Sequence, residues 1–482
     1  MKKPTADCNV HPLRIKQLLS VVLACKDRIR FLKPGLAILS ALLSIFYSPQ
    51  IFGQYRFRSN PAPGYEKRIG EYIDTLHIID NHEHLDDPRF IRQTNFLDFM
   101  LLFLHYSHSD LVSAGMPKTH FDKLYNQALP PKEKWSLIEP YFKNSFNTAF
   151  IRLALLSAKQ LYGVDNIDIN SVDTLSRRIY RAYQTDWPNH VLKDLCRIDY
   201  LIQDSREQLS GIDNVLYVKR FSSWLNVRSK FSIDSLAVMQ VNPIYNLEDF
   251  VASMEDEFNS ALKRGIVAVK INFAYNRTLK IENVETDNAM KVFRSLINGN
   301  EDKQITYAEA KPLQDYMFHR LMNIVKKTGL PVVFHTGFQA GNGNYIENSN
   351  PDLLSNIFLQ YPGINFALFH GSYPFGGELA TLAKNFSNVY IDMNWVYAIS
   401  PSYSERYLNE WIETVPVSKI MAFGGDYRCV ENIYSELIVA KQIISDVLIK
   451  KVENGYFSEQ EALTVARLIL HDNAQKFYNI RQ

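Results

Sequence analysis

Cysteine is scarce in this chain of 482 residues, which contains only four. Two of them, Cys8 and Cys25, lie near the N-terminus, and the other two are Cys196 and Cys429, with no Cys-x-x-Cys spacing anywhere. The small number and the spacing argue against a disulfide framework and against a cysteine-based zinc site.

Three catalytic signatures are also missing. The chain has no Gly-x-Ser-x-Gly, no glycine-rich nucleotide-binding loop and no His-Glu-x-x-His. Their absence removes support for a serine hydrolase, a kinase and a zinc protease. An excess of basic residues is missing too, because beyond residue 53 the chain holds 45 Lys and Arg against 49 Asp and Glu. Nothing in that part of the chain suggests nucleic-acid binding.

Residues 1–53 differ in composition, with eight Lys or Arg and two Asp. Basic and apolar stretches alternate there, and an apolar run from Gly35 to Phe46 follows Lys33 before small and turn residues lead to Gly53. This pattern is typical of an export signal, so we expect an exported, periplasmic protein. The run is short for a membrane span and is interrupted by serine, but an uncleaved leader would anchor the protein in the membrane.

From Ile78 onward, short apolar and β-branched segments alternate with helical patterns. The eight segments are 78–82, 200–203, 237–241, 266–271, 331–335, 366–370, 389–393 and 419–423. Alternating strands and helices predict a parallel α/β fold, and eight strands predict a (β/α)8 TIM barrel over residues 54–482. The clearest helix is predicted over 314–327, and two closing helices are predicted over 431–447 and 459–470.

The predicted barrel is longer than usual. About 250 residues suffice for such a fold, whereas its first and last strands here are separated by roughly 350. Most of the excess lies after the first strand, where amphipathic patterns predict a helical insertion over the barrel mouth at residues 85–195. This insertion is either a lid or a plain packing interface.

Histidines stand at the predicted ends of several strands. The first strand runs into His82-Glu83-His84, and in an extended chain residues two apart share a face, so both rings point into the barrel. The segments at 331–335 and 366–370 end in His335 and His370, and the last strand leads to Asp426. Because active sites of these barrels lie at the carboxyl ends of the strands, the four histidines and the aspartate predict a divalent metal site.

This arrangement resembles the amidohydrolase superfamily, specifically its amidohydrolase-related branch, whose strands one, five, six and eight end in His-x-His, His, His and Asp. The resemblance covers about residues 75 to 480. It also includes the stretch 265–279 with Lys270 and Arg277, the stretch 370–375, and the closing His-Asp-Asn-Ala-Gln-Lys-Phe-Tyr at 471–478. The sequence departs from the family pattern at Gly425, where many relatives have Ser or Thr.

The resemblance implies a metal held by His82, His84, His335 and Asp426, with His370 near a second metal position or on the substrate. The expected metal is zinc, and mixed nitrogen and oxygen ligands also suit manganese or iron. Whether there are one or two metals depends on Lys270, which in parts of the superfamily is carbamylated and bridges a pair and is otherwise a plain barrel lysine that is salt-bridged to a carboxylate.

These residue types permit hydrolysis by a metal-activated water, with Asp426 as acid and base, His370 or the metal polarising the scissile carbonyl, and Lys270 in the catalytic set. The residues expected to contact the substrate are Tyr275, Arg277 and Arg428. We therefore expect a metal-dependent hydrolase that cleaves an amide, ester or lactone bond in a small, carboxylated molecule.

The alternatives keep the fold and the metal site but use them for decarboxylation, hydration or uronate isomerisation, since a fold does not fix a reaction. A non-catalytic binding protein is the remaining alternative. The expected partner is a small molecule in each case, and a homo-oligomer is compatible with the sequence.

Overall fold

The structure is a computed structural model that describes residues 61–93, 97–103, 105–204, 209–240, 243–301 and 303–481. The predicted leader, residues 1–53, lies outside these ranges. None of the helices within them is long and apolar enough to span a membrane.

Eight parallel strands pair in chain order. They are β1 (Ile78–Glu83), β2 (Ile198–Gln203), β3 (Val215–Arg220), β4 (Ala268–Ile271), β5 (Val332–Phe334), β6 (Phe366–Leu368), β7 (Val389–Asp392) and β8 (Ile420–Met421). Beyond β8, the Asn81 amide donates to the Phe423 carbonyl at 3.0 Å and the Asp426 amide donates to the His82 carbonyl at 2.9 Å, so the last strand meets the first. The predicted (β/α)8 barrel is confirmed.

The strands β1, β4, β5, β6 and β8 are fully buried, as in other parallel sheets, whereas most residues of β3 are half-buried. Val333 and Ala367 point into the barrel, where Phe477 and Tyr478 from the C-terminal helix also pack. Their neighbours, such as Val332 and Phe366, point outward into the larger core between strands and helices. The alternation of side chains along each strand therefore separates an inner core from an outer core.

The helices that surround the strands follow in chain order. They are α1 (Tyr65–Thr75), α2 (Pro88–Gln93), α3 (Ser107–Ser113), α4 (His120–Leu124), α5 (Pro131–Ser145), α6 (Ala149–Tyr162), α7 (Val172–Ala182), α8 (Trp187–Asn189), α9 (Ser222–Leu225), α10 (Lys230–Gln240), α11 (Leu247–Lys263), α12 (Thr286–Ile297), α13 (Tyr307–Val325), α14 (Ser355–Gln360), α15 (Gly376–Asn385), α16 (Val396–Ile399), α17 (Pro401–Thr414), α18 (Val430–Glu453), α19 (Glu459–Arg467) and α20 (Asn473–Phe477). Shorter 3₁₀ or π turns cover Phe99–Leu102, His190–Leu195, Phe273–Tyr275, Ile346–Ser349, Pro351–Leu354, His370–Ser372, Val417–Lys419 and Leu468–Asp472.

The helices predicted over 314–327, 431–447 and 459–470 correspond to α13, α18 and α19 with its following turn. The third predicted strand, 237–241, is wrong. Its residues up to Gln240 lie in α10, where Ile233 and Leu236 are buried while Val238 and Met239 are 79% and 66% exposed. The true third strand is β3, which escaped notice because Tyr217, Lys219 and Arg220 break its apolar pattern.

Between β1 and β2 the described residues form the helices α2 to α8. They build a hydrophobic core of their own around Phe99, Trp135 and Ile151. A buried carboxylate joins this core to α18, because Glu431 accepts hydrogen bonds from the Tyr162 hydroxyl, the Tyr183 hydroxyl and the Trp187 indole. Cys196 and Cys429, the two cysteines among the described residues, are both buried and form no disulfide there.

Candidate metal centre and its cavity

His82 and His84 lie at the carboxyl end of β1, as the spacing predicted. The His84 Nδ1 atom is 3.1 Å from the Asp204 carbonyl oxygen, which can only accept, so this nitrogen carries the ring proton. In the neutral tautomer that this contact selects, the Nε2 atom of His84 keeps its lone pair. Burial lowers the pKa of His82 well below its ordinary value, so that ring is neutral as well and can act as a ligand.

Asp426 faces both imidazoles. Its Oδ1 lies 3.0 Å from His84 Nε2 and 3.5 Å from His82 Nε2, and no described residue donates a hydrogen bond to this buried oxygen. An unprotonated nitrogen and a carboxylate oxygen, both of them acceptors, thus point at each other. Such an arrangement is stable only when a positive species lies between them.

Asp204, which the sequence did not point to, is a second carboxylate beside His82 and His84. It follows β2, and with His82 and His84 it offers ligand atoms that all lie within 4.8 Å of one another. Arg220 at the end of β3 contacts its Oδ2 at 2.5 Å. Although burial alone would raise the pKa of Asp204, the Arg220 guanidinium brings it below its ordinary value. A carboxylate directly after a predicted strand was the signal that could have identified it.

His335 and His370 form a hydrogen-bonded pair on the opposite side of the centre. His335 Nε2 donates to the Phe338 carbonyl at 2.9 Å, so its Nδ1 accepts from His370 Nε2 at 2.9 Å. These two short contacts outweigh the 3.4 Å approach of His370 Nδ1 to the Asn394 carbonyl, which leaves that Nδ1 with its lone pair. Both ring nitrogens of His335, predicted as a ligand, are therefore engaged with other protein atoms.

Lys270 stands on β4, with its Nζ buried and 3.6 Å from the centre of the Phe369 ring. No described residue forms a hydrogen bond or an ion pair with this nitrogen, so the expected salt bridge to a carboxylate is not formed. Burial lowers the pKa of Lys270 to about 7. Its amine is thus a buried polar group without a hydrogen-bond partner among the described residues.

A cavity of about 500 Å³ opens above these residues. It is lined by His82, His84, His105, Tyr106, Arg220, Lys270, Asn272, Tyr275, His335, Ala340, Asp426 and Arg428. Of the predicted substrate-contacting residues, Tyr275 and Arg428 reach this cavity. Arg428 also pairs with Asp86 at 2.9 Å. His105 and Tyr106 come from the segment between β1 and β2, so that segment contributes directly to the site.

Arg277 is not brought to the cavity. Its guanidinium contacts Asp315 at 2.5 Å and lies 4.1 Å from the centre of the Phe273 ring. Both charged groups are buried, so this pair belongs to the packing of the loop after β4 against α13.

Residues 244–480 match the family model described as Amidohydrolase. A solved uronate isomerase from Thermotoga maritima superposes with a TM-score of 0.70 at 15% identity, covering 87% of this chain and 98% of that one. Residues 244–480 are thus similar to the amidohydrolases, and the described barrel shares its fold with the uronate isomerase.

Two other proteins are similar to this chain. A Lactobacillus casei structure assigned as a metal-dependent hydrolase gives a TM-score of 0.61 at 19% identity, covering 86% of this chain and 99% of that one. Protein fluG of Emericella nidulans is 25% identical over 225 residues, which are 45% of this chain. The match spans about a quarter of the length of fluG, 26%.

The donor atoms of this site fit a divalent cation. Two ligand atoms bound about 2 Å from one tetrahedral ion lie about 3.3 Å apart. The distances of 3.5 Å and 3.0 Å from Asp426 Oδ1 to the two imidazole nitrogens bracket that value. His82, His84 and Asp426 would hold such an ion. The Asp204 Oδ2 atom, 3.9 Å from His82 Nε2, lies beside the same group.

Proposed function

We propose that this protein is a metal-dependent hydrolase that cleaves an amide, ester or lactone bond in a small, carboxylated substrate. The observation that carries the proposal is the placement of Asp426. Its Oδ1 faces His82 and His84, and its Oδ2 lies 3.7 Å from His370 Nδ1. One oxygen can therefore contact a cation while the other exchanges a proton.

Asp426 takes a proton from the attacking water and returns it to the leaving group. A divalent cation in the site would supply the acidity that makes a water molecule nucleophilic at neutral pH. His370 Nδ1 keeps its lone pair, so it can accept a hydrogen bond from the protonated Oδ2 and hold that proton until the leaving group takes it. The bond from His370 to His335 keeps the ring in place for this role.

The cationic groups of the cavity support a carboxylated substrate. Arg220 and Arg428 are paired with Asp204 and Asp86, whereas no described residue forms a hydrogen bond or an ion pair with the Lys270 amine. A substrate carboxylate or a polarised carbonyl oxygen would satisfy this amine. Because the pKa of Lys270 is about 7, its protonated form is available near neutral pH and is stabilised further by an anion.

Isomerisation of a uronate is the second candidate. The observation in its favour is the shared fold with the Thermotoga maritima uronate isomerase over nearly the whole of that chain. The same Asp426 carboxylate would then move a proton between two carbons of a sugar acid. The cationic side chains of the cavity, Arg220, Lys270 and Arg428, would hold the acid group.

A substrate panel separates the two reactions. Metal-reconstituted protein is assayed with N-acyl amino acids, aryl esters, lactones and uronates, beside Asp426→Asn and the surface control Asp352→Asn. We expect turnover of a bond-cleavage substrate that falls at least a thousandfold in Asp426→Asn and is unchanged in the control. Turnover of uronates alone would replace the hydrolase proposal by isomerisation, and full activity of Asp426→Asn would refute both.

A further inference from the structure

A second cavity of about 380 Å³ lies beside the metal cavity. Its wall includes three polar residues and three aromatic ones, namely Ser109, Asp110, Gln339, Phe150, Phe338 and Tyr373. Segments 105–113 and 338–344 contribute residues to both cavities. The two spaces are close, since the ring of Tyr106, which lines the first, lies 5.3 Å from the ring of Phe150, which lines the second.

Three buried acceptor atoms in this wall have no hydrogen-bond partner among the described residues. They are Ser109 Oγ, Asp110 Oδ2 and Gln339 Oε1. The Gln339 side chain is oriented by the bond from its Nε2 to the Ala274 carbonyl, so its oxygen is the end left over. Buried polar atoms without partners are costly in a folded protein, and three of them in one wall indicate a ligand that supplies donors.

The charge of the cavity is negative and uncompensated. The residues that line it include one carboxylate, Asp110, and neither Lys, Arg nor His. Burial raises the pKa of Asp110 to about 6, which leaves it ionised at neutral pH, and its hydrogen-bond partner there is the uncharged Thr148. The rings of Phe150, Phe338 and Tyr373 complete the wall. A carboxylate among aromatic rings is the usual environment of a bound ammonium group.

We propose that this second cavity binds the ammonium group of a small alkylamine, either as a free ligand or as one end of the substrate. The metal cavity differs, because its Arg220 and Arg428 are paired with Asp204 and Asp86, while its Lys270 has no ion-pair partner among the described residues and favours an anion. The two neighbouring cavities therefore select for opposite charges, and a molecule with a carboxylate at one end and an ammonium group at the other would match both. Binding of the amine itself does not rest on the proposed hydrolase function.

The test is direct binding of n-butylammonium to the metal-loaded full chain, followed by saturation-transfer difference NMR, with n-butanol as the uncharged probe of equal length. The variants are Asp110→Asn, which keeps the shape of the side chain, and Ser109→Ala. The control is Asp165→Asn, which removes the same charge from an exposed position on the same segment of the chain. Circular dichroism establishes that each variant is folded.

We expect saturable binding of n-butylammonium that is at least about tenfold weaker in Asp110→Asn, as for the loss of a charge-assisted hydrogen bond, and about threefold weaker in Ser109→Ala. The control variant should bind as tightly as the wild type, and n-butanol should bind more weakly than the amine. Equal affinities for the amine in wild type and in Asp110→Asn would overturn the proposal. Tighter binding of the alcohol, or no saturable binding of the amine, would overturn it as well.

A second measurement identifies the source of the ammonium group, once a hydrolysed substrate is known. Competitive inhibition by n-butylammonium places the ammonium group on the substrate, whereas a change in kcat without competition assigns it to a separate ligand. If the panel yields no hydrolysis, the binding result stands by itself, so failure of the hydrolase proposal and failure of the amine site are distinguishable.

Discussion

Replacing Glu83 with glutamine should loosen Asp426 although Glu83 is not a proposed ligand. The Glu83 carboxylate accepts hydrogen bonds from the Gly425 amide at 2.8 Å and from the Tyr427 amide at 2.7 Å, on either side of Asp426. Asp426 itself has a φ of 60°, a left-handed conformation that costs a residue other than glycine about 1 kcal/mol or more. The two bonds from Glu83 hold the backbone in that conformation.

The charge state of Glu83 follows from its neighbours. Burial raises the pKa of the carboxyl groups of both Asp80, to about 7, and Glu83, and the two side chains are hydrogen-bonded to each other. The pair therefore holds one proton at neutral pH. Both oxygens of Glu83 accept from backbone amides, and the single proton is shared between Asp80 and Glu83, which titrate as a pair.

In Glu83→Gln, one of the two backbone amides meets an NH₂ group in place of an oxygen. One hydrogen bond to the carboxyl pair is lost, worth about 1–2 kcal/mol, and a buried amide is left without a partner at about 1–3 kcal/mol. We expect the free energy of unfolding to fall by about 2–5 kcal/mol, measured by urea denaturation of the metal-free protein. The metal affinity should weaken by about ten- to a hundredfold, as for other groups that orient a ligand.

Glu436 provides the matched control. It is equally buried, but it accepts one bond, from the Ala398 amide at 3.2 Å, and burial raises its pKa so that it holds its proton. Glu436→Gln mimics that protonated form, so we expect less than about 1 kcal/mol of destabilisation and an unchanged metal affinity. Equal behaviour of the two variants, or a Glu83→Gln protein as stable as the wild type, would refute the reasoning.

The pKa of Lys270 in the folded protein, about 7, lies below its value in the unfolded chain. Above pH 7 the folded state therefore binds fewer protons than the unfolded state, and the free energy of unfolding should rise by roughly 2 kcal/mol between pH 7.5 and 9. Urea titrations of metal-free Lys270→Met should not show this gain. The His82→Ala, His84→Ala double variant should lose its metal in elemental analysis, and the wild-type ratio, near one or near two, counts the ions. Arg277→Met should cost about 1–3 kcal/mol, because Asp315 loses the hydrogen bond from Arg277 and keeps only those from Lys311 and the Glu282 amide, and it should not change KM; a raised KM would return Arg277 to the substrate.

The sequence was informative where a side chain repeats with the period of a strand. His82 and His84, two residues apart after an apolar strand, could be placed in the barrel without a structure, and so could Asp426 at the end of β8. Arg277 follows its strand equally closely, but the direction of a loop side chain depends on packing against α13. No pattern in the sequence predicts that packing.

Asp204 and Arg220 were missed for a related reason. Asp204 follows β2 and Arg220 ends β3, the strands with the weakest apolar patterns, and Arg220 serves the site at the cost of the strand signal. Gly425, the departure from the family pattern, has an explanation in the structure. A Cβ atom there would lie 2.4 Å from Glu83 Oε1, so the carboxylate of Glu83 occupies the space that a serine or threonine side chain would need.

The metal site combines residues from the first and the last strands of the barrel, which are far apart in the sequence. Gly425, which donates a hydrogen bond to Glu83 of β1, is 342 positions away from it. Closing so long a loop is slow and entropically costly, and the ion can bind only after it has happened. Metal capture should thus report completion of the ring during folding. A fragment limited to residues 244–480, the segment that carries the family signature, would contain Asp426 but neither β1 histidine, and it should emerge from synthesis unable to hold the ion.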